Sequence, residues 1–278
     1  MSLIQVGLVD TTGSLDAGLV EAVAAALNVQ VMRDLPQFWN VQASVRYLPD
    51  ASKVPSGVWP VQLVKHLPPG EGGFHLDKHN QPFAKVVATP VSDEWTIAAS
   101  HETLEMLVDP FGNKLQASRA IEIVASTIKD APSEFEYLVE ACDPCEADNF
   151  GYSIQGVVVS DFLTPHFYDP VVTPGTRYSF GGNIKAPRQI LPGGYISWVN
   201  PEIGEVQQLQ YIDPKNPPKI INLGPAQGRS LREWIDGQTI DPRNKHRKLN
   251  EALLMQGREH RARLEKAALA RARLYQAR

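Results

Sequence analysis

The sequence predicts an α+β fold: a mixed sheet crossed by one chemistry-bearing helix, then a loop-rich extension and a C-terminal helix. Three observations carry this expectation. Residues 4–108 pass through strand-like and helix-like patterns in the order strand, helix, strand, strand, hairpin, helix. Residues 170–225 are rich in Pro and Gly and show no long helical pattern. Beyond Asp241-Pro242 the chain is dominated by Ala, Leu, Arg and Glu, which favour helix. The expected segments are a core over 1–169, an extension with a β-hairpin over 170–240 and a basic helical tail over 241–278. With 278 residues, 43% apolar and 21% charged, the chain suits one large or two small globular domains. This composition excludes a disordered, collagen-like or fibrous protein.

Ile4 to Val9 is a short apolar run entering a turn at Asp10-Thr11-Thr12-Gly13, and reads as a buried strand. Over residues 15–35, Leu19, Val20, Val23, Ala26 and Leu27 recur at helical steps, with Asp16 near the start where a negative charge suits the helix dipole. Val41, Ala43, Val45 and Tyr47 alternate as in a strand, and Val61, Leu63 and Val64 mark another. Gly70, Gly72 and Gly73 form a loop before a hairpin over residues 74–87, turning at Lys78-His79-Asn80-Gln81. Over residues 95–108, Ile97, His101, Leu104, Glu105 and Val108 fall on one helical face. That helix is expected to stop at Asp109-Pro110. A further helix is expected near residues 120–129, then strands over 136–141 and 153–162 around Cys142-Asp143-Pro144-Cys145. Residues 195–199 and 206–212 predict a hairpin, residues 229–236 a short amphipathic helix, and the tail a helix without a sustained heptad.

The net charge of −4 hides an asymmetry. From Arg243 to Arg278 there are eleven Lys+Arg and three Glu, a net of +8, which leaves −12 on the other 242 residues. The acidic body is a poor nucleic-acid surface. The tail could bind nucleic acid or an anionic membrane, but its one aromatic, Tyr275, argues against base stacking. The favoured expectation is that the tail docks on the acidic body or on a neighbouring copy, making a homo-oligomer or an assembly contact. No apolar stretch reaches the roughly 20 residues of a membrane span. The first ten residues lack the basic stretch of a signal peptide, and two cysteines are too few for a disulfide framework. The expected location is the cytoplasm, with both thiols free and buried. A lone Cys-x-x-Cys cannot complete a zinc site.

The stretch that carries chemistry is Ser100-His101-Glu102-Thr103-Leu104-Glu105. A helix stacks residues four apart, so His101 and Glu105 can hold one metal ion. Zn2+ accepts an imidazole nitrogen and a carboxylate oxygen. Glu102 lies beside that pair, at the place where His-Glu-x-x-His peptidases carry the carboxylate that takes a proton from metal-activated water. The second His of that pattern is Glu here. An unpaired Glu105 on this apolar face would be costly, which favours ligation over a bland helix position.

With the strand and helix order above, this motif resembles the N-terminal half of zincin-clan metallopeptidases, the metzincins in particular. In those proteins an antiparallel edge strand before the helix walls the substrate cleft. Residues 74–77 or 83–87 would supply it. Ser100 to Glu105, Asp109-Pro110 and Glu140-Ala141-Cys142-Asp143-Pro144-Cys145 also resemble plant phosphate-induced (EXORDIUM-like) proteins and related bacterial sequences, over about residues 95–165. His101, Glu102, Glu105, Glu140, Asp143 and Cys145 match that pattern, and Cys142 is an addition. The resemblance implies a zinc hydrolase of peptidase type, with Glu102 as proton acceptor and a peptide or protein as substrate. The metzincin third ligand would fall at Phe111, which cannot ligate. Asp143 is the first choice to replace it, Glu140 the second, with an orienting role as its alternative, and Asp109 the third. A set richer in carboxylate than usual for zinc widens the choice to other divalent ions. His166 and Tyr168 are candidates to stabilise an oxyanion at the cleft. His75 is a weaker cleft candidate, since it and His79 fall in a hairpin expected to be exposed. The alternative reading is a zincin-derived structural or assembly protein, weak or inactive in catalysis, that docks through its extension and tail.

Overall fold

The computed structural model describes residues 3–68, 71–212, 215–228, 230–244 and 251–276. Gly70 of the expected loop and Arg229 at the expected helix start lie outside them. The architecture is mixed α+β, with two five-stranded sheets, one two-stranded hairpin and four α-helices among the described residues.

The first sheet forms as the apolar runs predict. β1 (Ile4–Asp10) buries Val6, Leu8 and Val9 completely and pairs in parallel with β2 (Ala43–Leu48) and β3 (Val58–Val64). Between β1 and β2 runs α1 (Ala17–Val29), capped by the Asp16 carboxylate, which accepts from the Leu19 N–H. The coil continues as a π-helical turn over Gln30–Asp34. β4 (Gly73–Lys78) and β5 (Gln81–Val87) form the expected hairpin, turning through His79 and Asn80 at φ 55° and 61°. β5 joins β3 in parallel, so the antiparallel strand β4 is left at the sheet edge.

Every residue of α2 (Trp95–Val108) is buried. Its polar residues are held from several sides. Ser100 donates to the Gln30 side chain at 2.7 Å and accepts from the Ser160 N–H, while Thr96 donates to the Val158 carbonyl. The π-turn after α1 brings Gln30 to Ser100, which fixes the rotation of α2 about its axis.

The helix expected near residues 120–129 is a hairpin instead. β6 (Leu115–Val124) and β7 (Thr127–Leu138) pair antiparallel around Ala125-Ser126, both with positive φ. Ile121, Ile123 and Val124 are β-branched, and Ile121 is buried while Glu122 and Val124 are exposed, a pattern that suits a pleated surface. β7 ends at Leu138, so Glu140 and Ala141 lie beyond the strand expected to contain them. The strand expected over 153–162 is itself a hairpin, β8 (Tyr152–Ile154) with β9 (Val157–Val159), turning at Gln155-Gly156.

β10 (Tyr195–Asn200) and β11 (Glu205–Gln210) form the expected hairpin and, with β12 (Lys219–Gly224), extend the sheet begun by β6 and β7. The pairing of β10 with β7 crosses the boundary expected at residue 170. Phe135 and Trp198 stack across it with centroids 5.0 Å apart, and one hydrophobic core runs from α1 through α2 to these rings.

α3 (Leu231–Asn244) is longer than expected and carries Pro242 two residues from its end, where the missing N–H removes one helical bond. α4 (Glu251–Gln276) docks on the β8–β9 hairpin. Arg258 and Arg261 reach the Asp93 carboxylate at 3.0 and 2.5 Å, the docking on the acidic body that the charge asymmetry predicts. Gly156, at φ +80°, faces Gly257 so closely that a Cβ on either would meet the other's carbonyl oxygen. No helix among the described residues is long and apolar enough to cross a membrane.

Candidate metal centre

Four segments deliver their side chains to one buried point. α2 presents His101 and Glu105 one turn apart, with Glu102 beside them. The loop after β7 brings Glu140, Cys142 and Asp143. β4 contributes His75, and α3 contributes Arg232. The His101 Nε2 lies 3.1 Å from Glu105 Oε2 and 3.2 Å from Asp143 Oδ1. Glu105 is aimed by its other oxygen, which accepts from the Cys142 N–H at 3.0 Å. His75 approaches from the opposite side: its Nδ1 lies 3.5 Å from Glu102 Oε2 and 3.8 Å from Glu105 Oε2. Its Nε2 lies 3.1 Å from the Asp109 carbonyl oxygen, which can only accept, so that nitrogen carries the ring proton.

The expected residues are thus sorted clearly. His101, Glu102, Glu105, Glu140 and Asp143 converge. His75 sits with them, fully buried, whereas His79 is exposed at the hairpin turn. The difference is one of position: His75 lies inside β4, whereas His79 lies beyond its end, in the turn at positive φ. Asp109 is buried, but its carboxylate accepts from the Lys114 N–H at 2.8 Å. His166 is exposed and paired to Asp169. Tyr168 is buried, its hydroxyl has no hydrogen-bond partner, and burial together with the Glu140 and Asp143 charges pushes its pKa well up. Cys142 and Cys145 are free and buried, and burial raises both thiols well above their usual range.

Arg232 is the residue that sequence reasoning missed. Its guanidinium lies 2.8 Å from Glu105 Oε2, contacts Glu140 Oε2, and is 3.7 Å from Asp143 and 3.9 Å from Glu102. Its Nε faces Asp236 at 3.4 Å. A signal for this helix exists in Ser230-Leu231-Arg232-Glu233, a capping box, and the Ser230 hydroxyl does accept from the Glu233 N–H. The helix start is seated on the turn after α2: Arg232 N–H donates to the Gly112 carbonyl and Leu231 N–H to the Asn113 side chain. Gly112, at φ +61°, leaves room there, since a Cβ would lie 2.7 Å from Ser230 Oγ.

Charge is not balanced at this point. Glu102, Glu105, Glu140 and Asp143 are each at most 6% exposed, and one guanidinium faces them. Well-formed hydrogen bonds are missing from His75 Nδ1, Glu102 Oε2, Glu105 Oε2, both Glu140 oxygens and Asp143 Oδ1. Buried carboxylates in such surplus are costly unless cations or protons compensate them. Burial opposes a charged His101, but Glu105 and Asp143 outweigh it and hold the imidazole pKa well above the usual 6.5. Burial also drives the Glu140 carboxyl well up, more than Arg232 lowers it, and raises that of Asp143. Glu105 goes the other way, because Arg232 and His101 overcome its burial.

Comparison with protein-family models, curated proteins and solved structures finds no significant match to this chain. The site must therefore be read from its own chemistry. Ligand atoms of Glu105, Glu140 and Asp143 lie within 4.8 Å of one another, as do those of His101, Glu105 and Cys142. An imidazole, several carboxylates, lone pairs without hydrogens to accept and a surplus of negative charge together fit a divalent cation.

Proposed function

We propose that this protein is a metal-dependent hydrolase of peptidase type, built on a zincin-like His-Glu-x-x-Glu helix, with His101, Glu105 and Asp143 holding the ion. The observation that carries this reading is the convergence of His101 Nε2, Glu105 Oε2 and Asp143 Oδ1 in a buried, carboxylate-rich site. Zinc is the first choice, and the hard donor set also suits other divalent ions. When bound, the ion supplies Lewis acidity toward a carbonyl oxygen and toward water. Glu102, whose Oε2 has no hydrogen-bond partner, accepts the proton of the attacking water. The Tyr168 hydroxyl is the donor available to a developing oxyanion. Glu140 holds Arg232 beside the site, and the antiparallel edge strand β4 is the expected cleft wall.

The Glu102→Gln variant tests the reading. It is expected to fold, to retain an ion and to lose hydrolysis of a general protein substrate such as casein. Unchanged hydrolysis in that variant would refute the assigned role.

A second reading, a structural or assembly protein with a metal-stabilised core, is favoured by the depth of the site. Glu105 is fully buried and His101 is 6% exposed. Wild-type protein that holds its ion and cleaves no substrate would support it.

A further inference from the structure

We infer that the site holds two divalent ions rather than one, with Glu105 Oε2 as the shared ligand and His75, Glu102 and Glu105 as the second ligand set. The inference rests on the metal-dependent reading above and deepens it.

His75 carries the argument. It is completely buried, and its Nδ1 has no hydrogen-bond partner. The other ring nitrogen, Nε2, donates to the Asp109 carbonyl, which leaves Nδ1 facing Glu102 and Glu105. An imidazole oriented by a backbone carbonyl, with a bare nitrogen facing two carboxylates, has the arrangement of a metal-ligating histidine. Glu102 Oε2 also lacks a hydrogen-bond partner, and Glu105 Oε2 meets the Arg232 guanidinium at 2.8 Å without a well-formed hydrogen bond. Ligand atoms of His75, Glu102 and Glu105 lie within 4.8 Å of one another.

Glu105 links the two sets. Its Oε1 is held by the Cys142 N–H, and its Oε2 faces Arg232 Nη1 at 2.8 Å and both imidazoles, 3.1 Å from His101 Nε2 and 3.8 Å from His75 Nδ1. A carboxylate oxygen between two imidazoles is placed as a bridging ligand, and hydrolases with paired ions hold them about 3.5–4 Å apart. In such a pair Glu102 would hold the second ion in place of the proton-accepting role given to it above, so Glu102→Gln should cost one ion of two.

The test is metal stoichiometry on tag-free, full-length protein, stripped with chelator and reloaded with Mn2+. Wild type is expected to bind two ions per chain with the spin-coupled resonance of a Mn2+ pair. His75→Ala and His75→Gln should bind one, with an uncoupled signal, while keeping the wild-type circular dichroism. The coupled signal of wild type needs no variant to fold. One ion per chain in wild type would overturn the inference and leave the single-ion reading standing. No ion would overturn both. Two ions that are uncoupled, or that persist in both His75 variants, would place the second ion elsewhere and overturn the inference alone.

Discussion

Arg188 and Arg232 are both buried, at 2% and 4% exposure, yet their surroundings have little in common. The Arg188 guanidinium makes a bidentate contact with Asp130 at 3.0–3.1 Å, donates to Ser118 Oγ at 2.7 Å and is closed by the Asp169 and Pro170 carbonyls. One carboxylate meets one guanidinium, and Asp130 keeps contact with solvent. Arg232 faces four buried carboxylates, and its Nε and Nη1 lack well-formed hydrogen bonds. The first is a finished structural ion pair. The second is a cluster in which buried carboxylates outnumber the guanidinium that faces them. Buried polar groups are ordinarily satisfied, so a dense group of unsatisfied ones sets this place apart from the Arg188 pair.

Substitutions at the two arginines should separate these roles. Replacing Arg232 with Met removes the one guanidinium from the carboxylate cluster. In chelator-treated protein it is expected to cost roughly 3–5 kcal/mol of stability. Added divalent ion should restore much of that, because a ligand that binds only the folded state stabilises it by mass action. Thermal unfolding with and without Zn2+ checks both halves. Arg188→Met should cost less, about 1–3 kcal/mol, since Asp130 can return to water. Its unfolding should gain no more from Zn2+ than wild type does. Equal rescue of both variants by the ion would erase the distinction.

The smallest effect is on pH. The His101 pKa is raised in the folded metal-free chain, so its stabilisation is complete below the unfolded value near 6.5 and is lost as pH rises through the higher folded value. Glu140, raised by burial, adds a cost above the ordinary carboxylate range that is relieved as pH falls. Metal-free protein should therefore unfold at lower temperature at pH 8.5 than at pH 6.5. The stabilisation by added ion should grow over the same interval, because protons and metal compete for these groups. Calorimetric scans at the two pH values, with and without ion, read this directly.

How much of this was legible beforehand differs by region. The first sheet, α1 and α2 follow from apolar periodicity, and the helical spacing of His101 and Glu105 names two members of the cluster. The β6–β7 hairpin was hidden because its turn uses Ala125-Ser126 rather than Asn-Gly, so no glycine marks the positive φ. His75 was hidden by its nearness to an exposed turn and because alternation with Phe74 and Leu76 marks the opposite face of β4 as the apolar one. Arg232 was the hardest to see. It lies 127 residues beyond Glu105 in sequence, and only tertiary packing of α3 on the turn at Gly112 carries it into the cluster.

The central claim, that the buried carboxylate cluster is a cation site, is tested most directly by metal analysis of the purified full-length chain grown with zinc, beside the His101→Ala variant. The account predicts stoichiometric metal in wild type and an affinity at least about 100-fold weaker in the variant, beyond the range typical of residues that only support a ligand. Wild-type protein that is correctly folded and carries no divalent ion, even after reloading, would contradict it.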